Sequence, residues 1–511
     1  MDQKGKKTLY ALSTIGLATA VMLSGCGGAT NEGSSKTGNS SGTAGAPTDI
    51  SLMVINYGTQ FSDQNNIIWK EIEKRTNTKL NVTWVSPNNI TEKTNVTLAS
   101  GDIPDLMYLE DLNLAQFRSM VSQGAFWDLT PFLKDFPNFK NVPAYAWENS
   151  KINGKNYVVP RPYPIVGGGL FPLIRKDWLD KLNLKMPETL DEFKTVLKAF
   201  VNNDPDGNGQ KDTTGYSATT GSLSFIYNTY NNTNGEWKEK DGKLVPNITE
   251  DESREALLYI KGLYDEGLIS KDFSILKLSN INEAVNSGKA GSAGYAMNNG
   301  WKFTQELRKT NANASMVPMP YVKGPKGNKF TIATSGFYGA FAIPKKVPED
   351  KVKKLLAFMD YGYSAEGNTL ANYGLKDQHY TETNGLKKTT DKFATDLVDG
   401  NFMGVYMLNS NDLVTLVPGI PSDFYELNKK VYTEREQAAP KDPSVGLFSE
   451  SNAKLWPDLK KKVDDMRVKV ILGQEKIEAY DAFIAALKKD GDLQKITKEM
   501  NDAYAQKSGG K

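Results

Sequence analysis

Residues 49–58 read DISLMVINYG, an apolar run ending in glycine that is typical of a buried strand followed by a turn. Helical and strand patterns then alternate, with a helix predicted over 67–75, a strand over 80–85, a helix over 91–99 and a strand over 105–109. A strand–helix–strand–helix–strand order favours parallel pairing with right-handed crossovers. The stretch therefore predicts an α/β lobe whose ligand face lies at the carboxyl ends of its strands.

Three more helices are predicted from their starting residues. Thr189 and Glu192 have the spacing of a capping box, and so do Thr249 and Glu252. A third helix is predicted after Pro348, where apolar residues recur every three or four positions. The whole chain has an α/β pattern without a repeat of about 20–50 residues, which argues against a solenoid or a propeller.

The composition limits the available chemistry. The 511 residues include 62 Lys and Arg, 60 Asp and Glu, one Cys and one His, so the formal net charge is +2. The single Cys26 and His379 exclude disulfides, Cys-rich or His-rich zinc sites and most His-based acid–base catalysis. The charge balance, without a basic stripe, argues against a nucleic-acid partner. Polar chemistry therefore depends on carboxylates, amides, hydroxyls and arginines.

The first 48 residues have the layout of an export signal and a tether. Three lysines among the first seven residues precede an apolar stretch over 9–23, which is shorter than the ~20 residues needed to span a membrane. Residues 23–26, LSGC, resemble a bacterial lipobox, in which Cys26 receives the lipid anchor. Residues 27–48 are mostly Gly, Ser, Thr, Ala and Asn, which predicts a flexible tether to the membrane surface.

Two lobes are expected in the folded body. The chain is predicted to cross between them at 157–172, which is rich in Pro and Gly, and at 331–344, which is extended and rich in aromatic residues. The predicted division is a signal peptide over 1–25, the lipidated Cys26 and tether over 26–48, a first lobe over 49–160 plus 331–385, and a second lobe over 161–330 plus 386–505.

Four segments carry a resemblance to a known family. They are SGDIPD at 100–105, NGKNYVVP at 153–160, IRKDWLDKLNL at 174–184 and PETLDEF at 187–193. In this order and spacing the chain resembles extracellular solute-binding proteins of family 1, of the lipoprotein A type found in Gram-positive bacteria. These proteins are related to binders of alginate oligosaccharides. The resemblance extends over nearly the whole chain.

The resemblance implies an α/β, two-lobed fold of the type II periplasmic-binding class, with a ligand cleft between the lobes. It implies a lipid-anchored receptor on the extracellular face of the cell membrane. The cleft would close on an oligosaccharide and present it to the permease of an ABC importer. We expect no catalysis, no required cofactor and a monomeric chain.

Residues 204–212, DPDGNGQKD, match the first nine positions of an EF-hand loop, in which alternate residues turn oxygen atoms toward one calcium ion. The glutamate of position 12 is missing, because Gly215 stands there. Alginate-binding relatives carry calcium in such a loop, typically with an acidic residue where Thr213 stands. The other interpretation is a solvated turn after a helix. The predicted ligands of a structural calcium are Asp204, Asp206, Asn208, Gln210, Asp212 and Thr213.

Sugar sites need aromatic faces together with carboxylate, amide and Arg groups, because sugars present apolar ring faces and many hydroxyls. We looked for these side chains on loops near strand ends, and Arg161 and Tyr163 lie on a predicted crossing. Asp102 could instead cap a turn, and each aromatic side chain could instead belong to a core. The candidate cleft residues are Tyr57, Gln60, Asp102, Asp111, Trp127, Arg161, Tyr163, Trp301, Phe337 and Tyr338.

Other side chains are predicted to be structural. Trp69 and Trp178 follow helical patterns and are assigned to the cores, and His379 is expected to be a structural histidine. Three alternative functions stay open at this stage: a surface glycosidase, which needs only carboxylates, a peptide-binding lipoprotein and a sensory lipoprotein.

Overall fold

The structure is a computed structural model that describes residues 45–56, 61–396, 405–406, 417 and 419–509. Helices and strands alternate over most of the described chain. The strands are β1 (Thr48–Ile55), β2 (Thr78–Val85), β3 (Leu106–Leu109), β4 (Val158–Pro162), β5 (Phe171–Arg175), β6 (Thr214–Ser217), β7 (Trp237–Lys240), β8 (Lys243–Pro246), β9 (Ala290–Tyr295), β10 (Met316–Pro318), β11 (Val322–Lys323), β12 (Lys329–Phe330), β13 (Phe337–Ala342), β14 (Tyr380–Thr383) and β15 (Leu386–Thr389).

The helices are α1 (Ile67–Thr76), α2 (Ile90–Ser100), α3 (Ala115–Ser122), α4 (Ala144–Asn149), α5 (Lys176–Lys181), α6 (Leu190–Asn202), α7 (Ser224–Asn231), α8 (Asp251–Asp265), α9 (Leu278–Asn286), α10 (Asn298–Leu307), α11 (Glu349–Gly362), α12 (Ala365–Tyr373), α13 (Asp391–Asp396), α14 (Ser422–Ala438), α15 (Glu450–Ile471), α16 (Ile477–Leu487) and α17 (Gly491–Gly509). Short 3-10 helices are formed by Leu133–Asp135, Pro137–Asn141, Gly221–Leu223 and Asn247–Thr249.

The first sheet has five strands in the order β2-β1-β3-β13-β4. Strand β1 pairs in parallel with β2 and β3, which confirms the pairing predicted from the opening stretch. Strand β13 returns from much later in the chain and runs antiparallel to β3 and β4. Ile50, Leu52 and Val54 of β1 are buried, and Trp69 of α1 packs into the same core as predicted. We call the part built on this sheet the first lobe.

The second sheet has four strands in the order β10-β5-β9-β6. Strand β5 is antiparallel to both of its neighbours, and β6 is parallel to β9. Trp178 of α5 is 1% exposed and packs edge-on against Phe200 of α6, so it belongs to the second core as predicted. We call the part built on this sheet the second lobe. The two sheets confirm the predicted α/β fold class.

Two segments of the chain pass between the lobes side by side. Residues 163–170 lead from β4 to β5, and residues 331–336 lead from β12 to β13. Later in the chain, Tyr406 packs in the first core and Val417 packs in the second. The first two segments are joined by two backbone hydrogen bonds, Tyr163 N to Gly336 O at 3.0 Å and Thr334 N to Ile165 O at 2.8 Å.

The residues after β14 belong to the first lobe, although the sequence assigned residues from 386 onward to the second. Strand β15 pairs with β14, and Phe393 of α13 packs against the first core. The Nε2 atom of His379 lies 3.0 Å from Oδ2 of Asp396, which holds the end of α13 to the same lobe. This boundary depends on a hairpin that short apolar patterns do not reveal.

Two of the three helix starts predicted from their capping residues are confirmed. Helix α6 has both hydrogen bonds of the capping box between Thr189 and Glu192, and α11 begins directly after Pro348. The third helix, α8, is present where it was predicted, but it begins at Asp251 without a side-chain cap, so the predicted capping box is wrong. The Thr249 hydroxyl instead donates to the carbonyl of Pro246 inside a 3-10 turn.

Asp105 joins the start of β3 to β1 and to α11. Its Oδ2 accepts hydrogen bonds at 2.8 Å from both the backbone N and the hydroxyl of Ser51, and one at 2.9 Å from Lys351 Nζ. Burial opposes ionisation, but these hydrogen bonds hold the pKa of Asp105 below its usual range. The ionised carboxylate therefore stabilises the first lobe.

We predict that Asp105→Asn lowers the free energy of unfolding by about 1–3 kcal/mol at pH 7, because charge-assisted hydrogen bonds are lost. The folded pKa is depressed, so this contribution is complete above the unfolded pKa of about 3.9 and disappears as the pH falls through the lower folded pKa. Urea unfolding at pH 7 and at acidic pH measures the difference. Exposed Asp102 gives the control Asp102→Asn, for which we expect a change within about 0.5 kcal/mol. Equal losses in both variants would contradict the role of Asp105.

Candidate functional site

The edge of the first sheet from which the crossings leave carries a group of polar and aromatic side chains. Strand β3 ends at Leu109 and is followed by Glu110, while β4 ends at Pro162 and is followed by Tyr163. Strand β13 starts at this edge because it is antiparallel to both. The carboxyl ends of β3 and β4 therefore lie where the second lobe is attached, as expected for a ligand cleft.

Glu110, Arg161, Tyr163 and Tyr338 form what we call the edge cluster. The rings of Tyr163 and Tyr338 are 5.6 Å apart with their planes tilted by 42°. The hydroxyl of Tyr338 donates to Oε1 of Glu110 at 2.6 Å, and the side chain is 36% exposed. Arg161 is 2% exposed and donates through Nη1 to the carbonyl of Tyr338 at 3.4 Å. The cluster offers aromatic surface, a carboxylate acceptor and a buried cation behind them.

Two glycines on the crossings leave room for the rings of Tyr163 and of the neighbouring Tyr145. A Cβ atom on Gly168 would lie 2.1 Å from the Tyr163 ring, and one on Gly336 would lie 2.3 Å from the ring of Tyr145. Gly336 also has a φ of 84°, a conformation that residues with a Cβ rarely adopt. Both glycines lie on the crossings, so the crossings and the aromatic side chains pack as one unit.

Three of the predicted cleft residues lie away from this edge. Trp127 bonds through its backbone N to Ile343, just past the end of β13, and that places it at the opposite edge of the sheet. Asp102 is exposed and precedes β3, also at the opposite edge. Trp301 is not in an irregular segment, because it lies in α10, is 8% exposed and packs against Phe424.

The other predicted cleft residues lie near the edge cluster or outside the described residues. Asp111 is exposed beside Glu110, and its Oδ1 accepts from the backbone N of Asn113 in a turn. Phe337 begins β13, pairs with Pro162 and packs partly against the first core. Residues Tyr57 and Gln60 lie outside the described residues, as does Cys26.

Glu110 is the member of the edge cluster that the sequence prediction missed. The prediction chose Asp111 as the carboxylate after β3, but the side chain that meets Tyr338 is one residue earlier. Strand β3 ends at Leu109, and the first polar residue after a buried strand is the signal that could have identified Glu110.

The predicted calcium loop forms a tight turn organised by its first aspartate. Oδ1 of Asp204 accepts from the backbone N atoms of Gly207 and Asn208 at 3.1 Å, and its Oδ2 accepts from Gly209 at 3.0 Å. The side-chain amide of Asn208 donates to Asp206 at 2.8 Å. The loop therefore brings carboxylates and amides together at the surface of the second lobe.

The side chains of this loop carry the carboxylate and amide oxygens that calcium prefers, and Thr213 is the one predicted ligand that does not fit. Asn208 Nδ2 also donates to Asp212 at 3.1 Å, so two carboxylates accept from this side-chain amide. Thr213, a predicted ligand, is buried and its hydroxyl donates to the carbonyl of Phe200 at 2.7 Å, which removes it from the loop's oxygen set. Within the described chain no three His, Cys, Asp or Glu side chains form a ready metal cage.

The crowded carboxylates of the loop shift the pKa values of one another. Partial desolvation and the hydrogen-bonded neighbour Asp204 raise the pKa of Asp206. The pKa of Asp204 is lowered, first by its hydrogen bond with Asp206 and also by the backbone N–H groups that donate to it. Lys289 lies 3.1 Å from Asp212 and offsets part of the negative charge. An additional cation would relieve the repulsion that remains.

His379 has the structural role predicted for it. The side chain is fully buried, its Nδ1 accepts from the backbone N of Leu375 at 2.8 Å, and its Nε2 therefore donates to Asp396. Both ring nitrogens are used inside the first lobe, so the residue links the segment after α12 to the end of α13.

Comparison with known proteins identifies relatives over almost the full length. The profile of the family described as "Bacterial extracellular solute-binding protein" matches residues 58–369. Lipoprotein LipO of Bacillus subtilis (strain 168) is 30% identical over 497 residues, which cover 95% of this chain and 96% of LipO. The polygalacturonan/rhamnogalacturonan-binding protein YtcQ of the same strain is 30% identical over 514 residues, covering 98% and 99%.

Solved structures share the fold at lower identity. The Streptococcus pneumoniae ABC-transporter substrate-binding protein FusA in complex with kestose matches with a TM-score of 0.68 and 20% identity, covering 91% of this chain and all of that chain. The alginate-binding protein AlgQ2 without calcium matches with a TM-score of 0.71 and 22% identity, covering 90% of this chain and 98% of that chain.

Among the helices that the structure describes, none has both the length and the apolar character needed to span a membrane. On its sequence matches, the chain belongs to the family of bacterial extracellular solute-binding proteins.

Proposed function

We propose that this protein captures an oligosaccharide in the cleft between its lobes and delivers it to an ABC importer. The edge cluster is the observation that carries the proposal, because it combines two adjacent aromatic rings with a carboxylate beside the crossings. Two relatives support it by name, since one is a polygalacturonan/rhamnogalacturonan-binding protein and another is a fructooligosaccharide ABC transporter substrate-binding protein. The second is 27% identical over 60% of this chain.

The edge cluster suits a ligand with many hydroxyl groups. The partly exposed ring of Tyr338 offers an apolar face for a sugar ring, and the carboxylate of Glu110 accepts hydrogen bonds from hydroxyls. Because the Tyr338 hydroxyl already donates to Glu110, both groups are held in place before the ligand arrives. Asp111 and Phe337, which flank the cluster, remain proposed contacts of the ligand.

Capture works by hinge closure of the two lobes. The side-by-side crossings connect the lobes, and a few residues in such segments can absorb the backbone rotations of domain closure. Binding without turnover is expected, because two relatives are named as a binding protein and a substrate-binding protein rather than as enzymes. The protein then acts as a receptor, and the permease completes the transport.

The same proposal includes anchoring through Cys26. The lipobox-like residues 23–26 and the tether up to residue 48 would keep the folded body at the extracellular face of the cell membrane. The curated relative LipO, which is named a lipoprotein, supports this arrangement. Acyl chains on Cys26 are the expected anchor, and the protein is expected to act as a monomer.

Calorimetry of the purified protein with kestose, galacturonan oligosaccharides and a peptide pool tests the receptor function. We predict saturable binding of at least one oligosaccharide, whose chains are recovered intact, and a loss of affinity of at least tenfold in Tyr338→Ala. Tyr321→Ala is the matched control, because Tyr321 is a partly exposed tyrosine of the second lobe with Lys329 above its ring, and we expect it to change affinity less than twofold.

Three results would contradict this function. Shortened sugar chains after incubation would identify a glycosidase. If the titration released binding heat with peptides but with none of the sugars, the carbohydrate assignment would be wrong, while the fold assignment would stand. Equal affinity losses in Tyr338→Ala and Tyr321→Ala would show that the edge cluster does not contact the ligand.

We further propose that the loop over 204–212 holds a structural calcium ion through Asp204, Asp206, Asn208, the Gln210 carbonyl and Asp212. The oxygen-rich donor set and the crowded carboxylates support the proposal. The names of two similar structures, alginate-binding AlgQ2 without calcium and a FusA EF-hand mutant, point to calcium in comparable proteins. A bound ion would clamp the loop and take no part in catalysis.

We predict that calcium raises the melting temperature of the wild type and that Asp206→Asn removes this increase. At a calcium concentration 100 times the Kd, the stabilisation is about 2.7 kcal/mol. In EGTA the variant should melt no lower than the wild type, since the substitution removes a charge that its neighbours disfavour. Differential scanning calorimetry with calcium or EGTA measures both effects.

Asp241→Asn serves as the control for the calcium experiment, because Asp241 lies in the exposed turn between β7 and β8 of the same lobe. It should retain the full calcium-dependent increase. If the wild type showed no increase, or if Asp206→Asn kept it, the calcium proposal would be wrong.

A further inference from the structure

The second lobe contains a cavity of about 290 Å³ between α7 and α15, which we call the helix pocket. Its walls also include residues from the turn before α7, from the segments that flank β7 and β8, and from Phe273 after α8. None of the lining residues is part of the edge cluster. The residues used below are Thr220, Gly221, Ser224, Tyr227, Asn228, Asn231, Gly235, Glu236, Asn247, Lys460, Asp464 and Arg467.

One wall of the pocket is a row of small polar side chains. Thr220, Ser224 and Asn228 recur at intervals of four residues, which places them on one face of α7 and of the turn that leads into it. Throughout the described residues, none of these three side chains has a hydrogen-bond partner in the protein. Their two hydroxyls and one amide are therefore available to an occupant of the pocket.

The facing wall, on α15, carries charges that neutralise one another. Lys460 forms an ion pair with Asp464, and Nη1 of Arg467 lies 3.3 Å from the same carboxylate. The guanidinium of Arg467 also stacks 4.0 Å from the centre of the Tyr227 ring. A second carboxylate, Glu236, accepts a hydrogen bond from Trp456. Counted in their ionised forms, two cations and two carboxylates leave the wall without net charge, and burial raises the pKa of Glu236.

Polar atoms buried in the wall lack partners. The amide N of Asn231 donates to the Tyr227 carbonyl at 2.9 Å and that of Asn247 donates to the Gly235 carbonyl at 2.8 Å, which fixes both amides. Their oxygens are left unpaired, and so are the Tyr227 hydroxyl and Nε of Arg467. These atoms expose almost no surface, so they give the wall a polar backing but do not themselves contact an occupant of the pocket.

The arrangement of donors and acceptors selects the chemistry of that occupant. The amide of Asn228 offers both an oxygen and N–H groups, and the hydroxyls of Thr220 and Ser224 can each donate and accept, so the occupant should also do both. Hydroxyl groups do both, whereas a phosphate or carboxylate group does not donate and an ammonium group does not accept. The volume is roughly ten times the share of one water molecule in the liquid, about 30 Å³, so a single structural water does not fill it.

The mouth of the pocket faces the connection between the lobes. Thr220 and Gly221 are exposed and follow the carboxyl end of β6. Gly235 is next to Asn234, whose side chain donates to the carbonyl of Thr331 at 3.3 Å and accepts from the backbone N of Ala333 at 2.9 Å. The pocket thus adjoins the second crossing, on the side of the second lobe where the cleft opens.

From this geometry we infer that the helix pocket binds one uncharged sugar residue and is the second-lobe subsite for the oligosaccharide. The inference rests on the proposed receptor function and adds a location and a charge preference to it. The uncharged balance of the wall favours a neutral sugar over a uronate.

A titration with single sugars tests the pocket separately from the cleft. D-Glucose, D-galactose, D-fructose, L-rhamnose and D-galacturonate are added to the purified protein, and binding is followed by ligand-detected NMR. We expect at least one neutral sugar to bind saturably and galacturonate to bind at least tenfold more weakly. Ser224→Phe fills the pocket and Asn228→Leu removes the free amide. Each substitution should lower the affinity for the neutral sugar at least tenfold.

The matched control is Ser279→Phe, the same substitution at an exposed position on α9 of the same lobe, which should leave binding within twofold of the wild type. Thermal unfolding of each variant verifies that it is folded. If no neutral sugar binds the wild type, or if the two pocket variants bind as the wild type does, the pocket is not a sugar subsite.

Oligosaccharide calorimetry on the same variants separates this failure from failure of the receptor function. Oligosaccharide binding that is unaffected by Ser224→Phe overturns the subsite and leaves the receptor in place. If no oligosaccharide binds but Ser224→Phe abolishes binding of a neutral sugar, the receptor assignment fails while the pocket's affinity for sugars remains.

Discussion

The hydrogen bonds between the two crossings constrain the rest of the molecule. Backbone N–H and C=O groups that leave one core for another still need partners, and Tyr163, Ile165, Thr334 and Gly336 provide them for each other. The crossings consequently run as a pair, and the end of β4 and the start of β13 lie side by side. Because Tyr163 follows one strand and Tyr338 belongs to the other, this pairing also brings together the rings of the edge cluster.

Glycine makes that pairing compatible with large side chains. The rings of Tyr163 and Tyr145 occupy the space where a Cβ of Gly168 or Gly336 would lie, so the crossings can pack closely against aromatic side chains. The paired crossings act as the hinge, and this close packing holds the rings in place. The same few residues thus serve both the hinge and the site, which couples ligand contact to lobe movement.

The elements that depend on neighbouring residues could be predicted from the sequence, whereas the arrangement that depends on contacts between distant parts of the chain could not. Strands β1 to β3 and helices α6 and α11 were predictable because apolar spacing and capping residues act over a few positions. The edge at which a residue lies depends on β13, which enters the sheet from more than 200 residues after β3. Trp127 was therefore assigned to the wrong edge, and Glu110 was missed although it is adjacent to a predicted residue.

The edge cluster and the helix pocket divide recognition between the lobes. Each offers only part of a binding surface, with rings and a carboxylate in the first lobe and hydroxyls, amides and balanced charges in the second. Once a sugar chain contacts one lobe, contact with the other becomes an intramolecular step, and its effective concentration is set by the short crossings. A ligand too short to reach both surfaces gains nothing from closure. The two-lobed arrangement therefore selects for chain length as well as for sugar chemistry, because only a ligand that spans both surfaces stabilises the closed form.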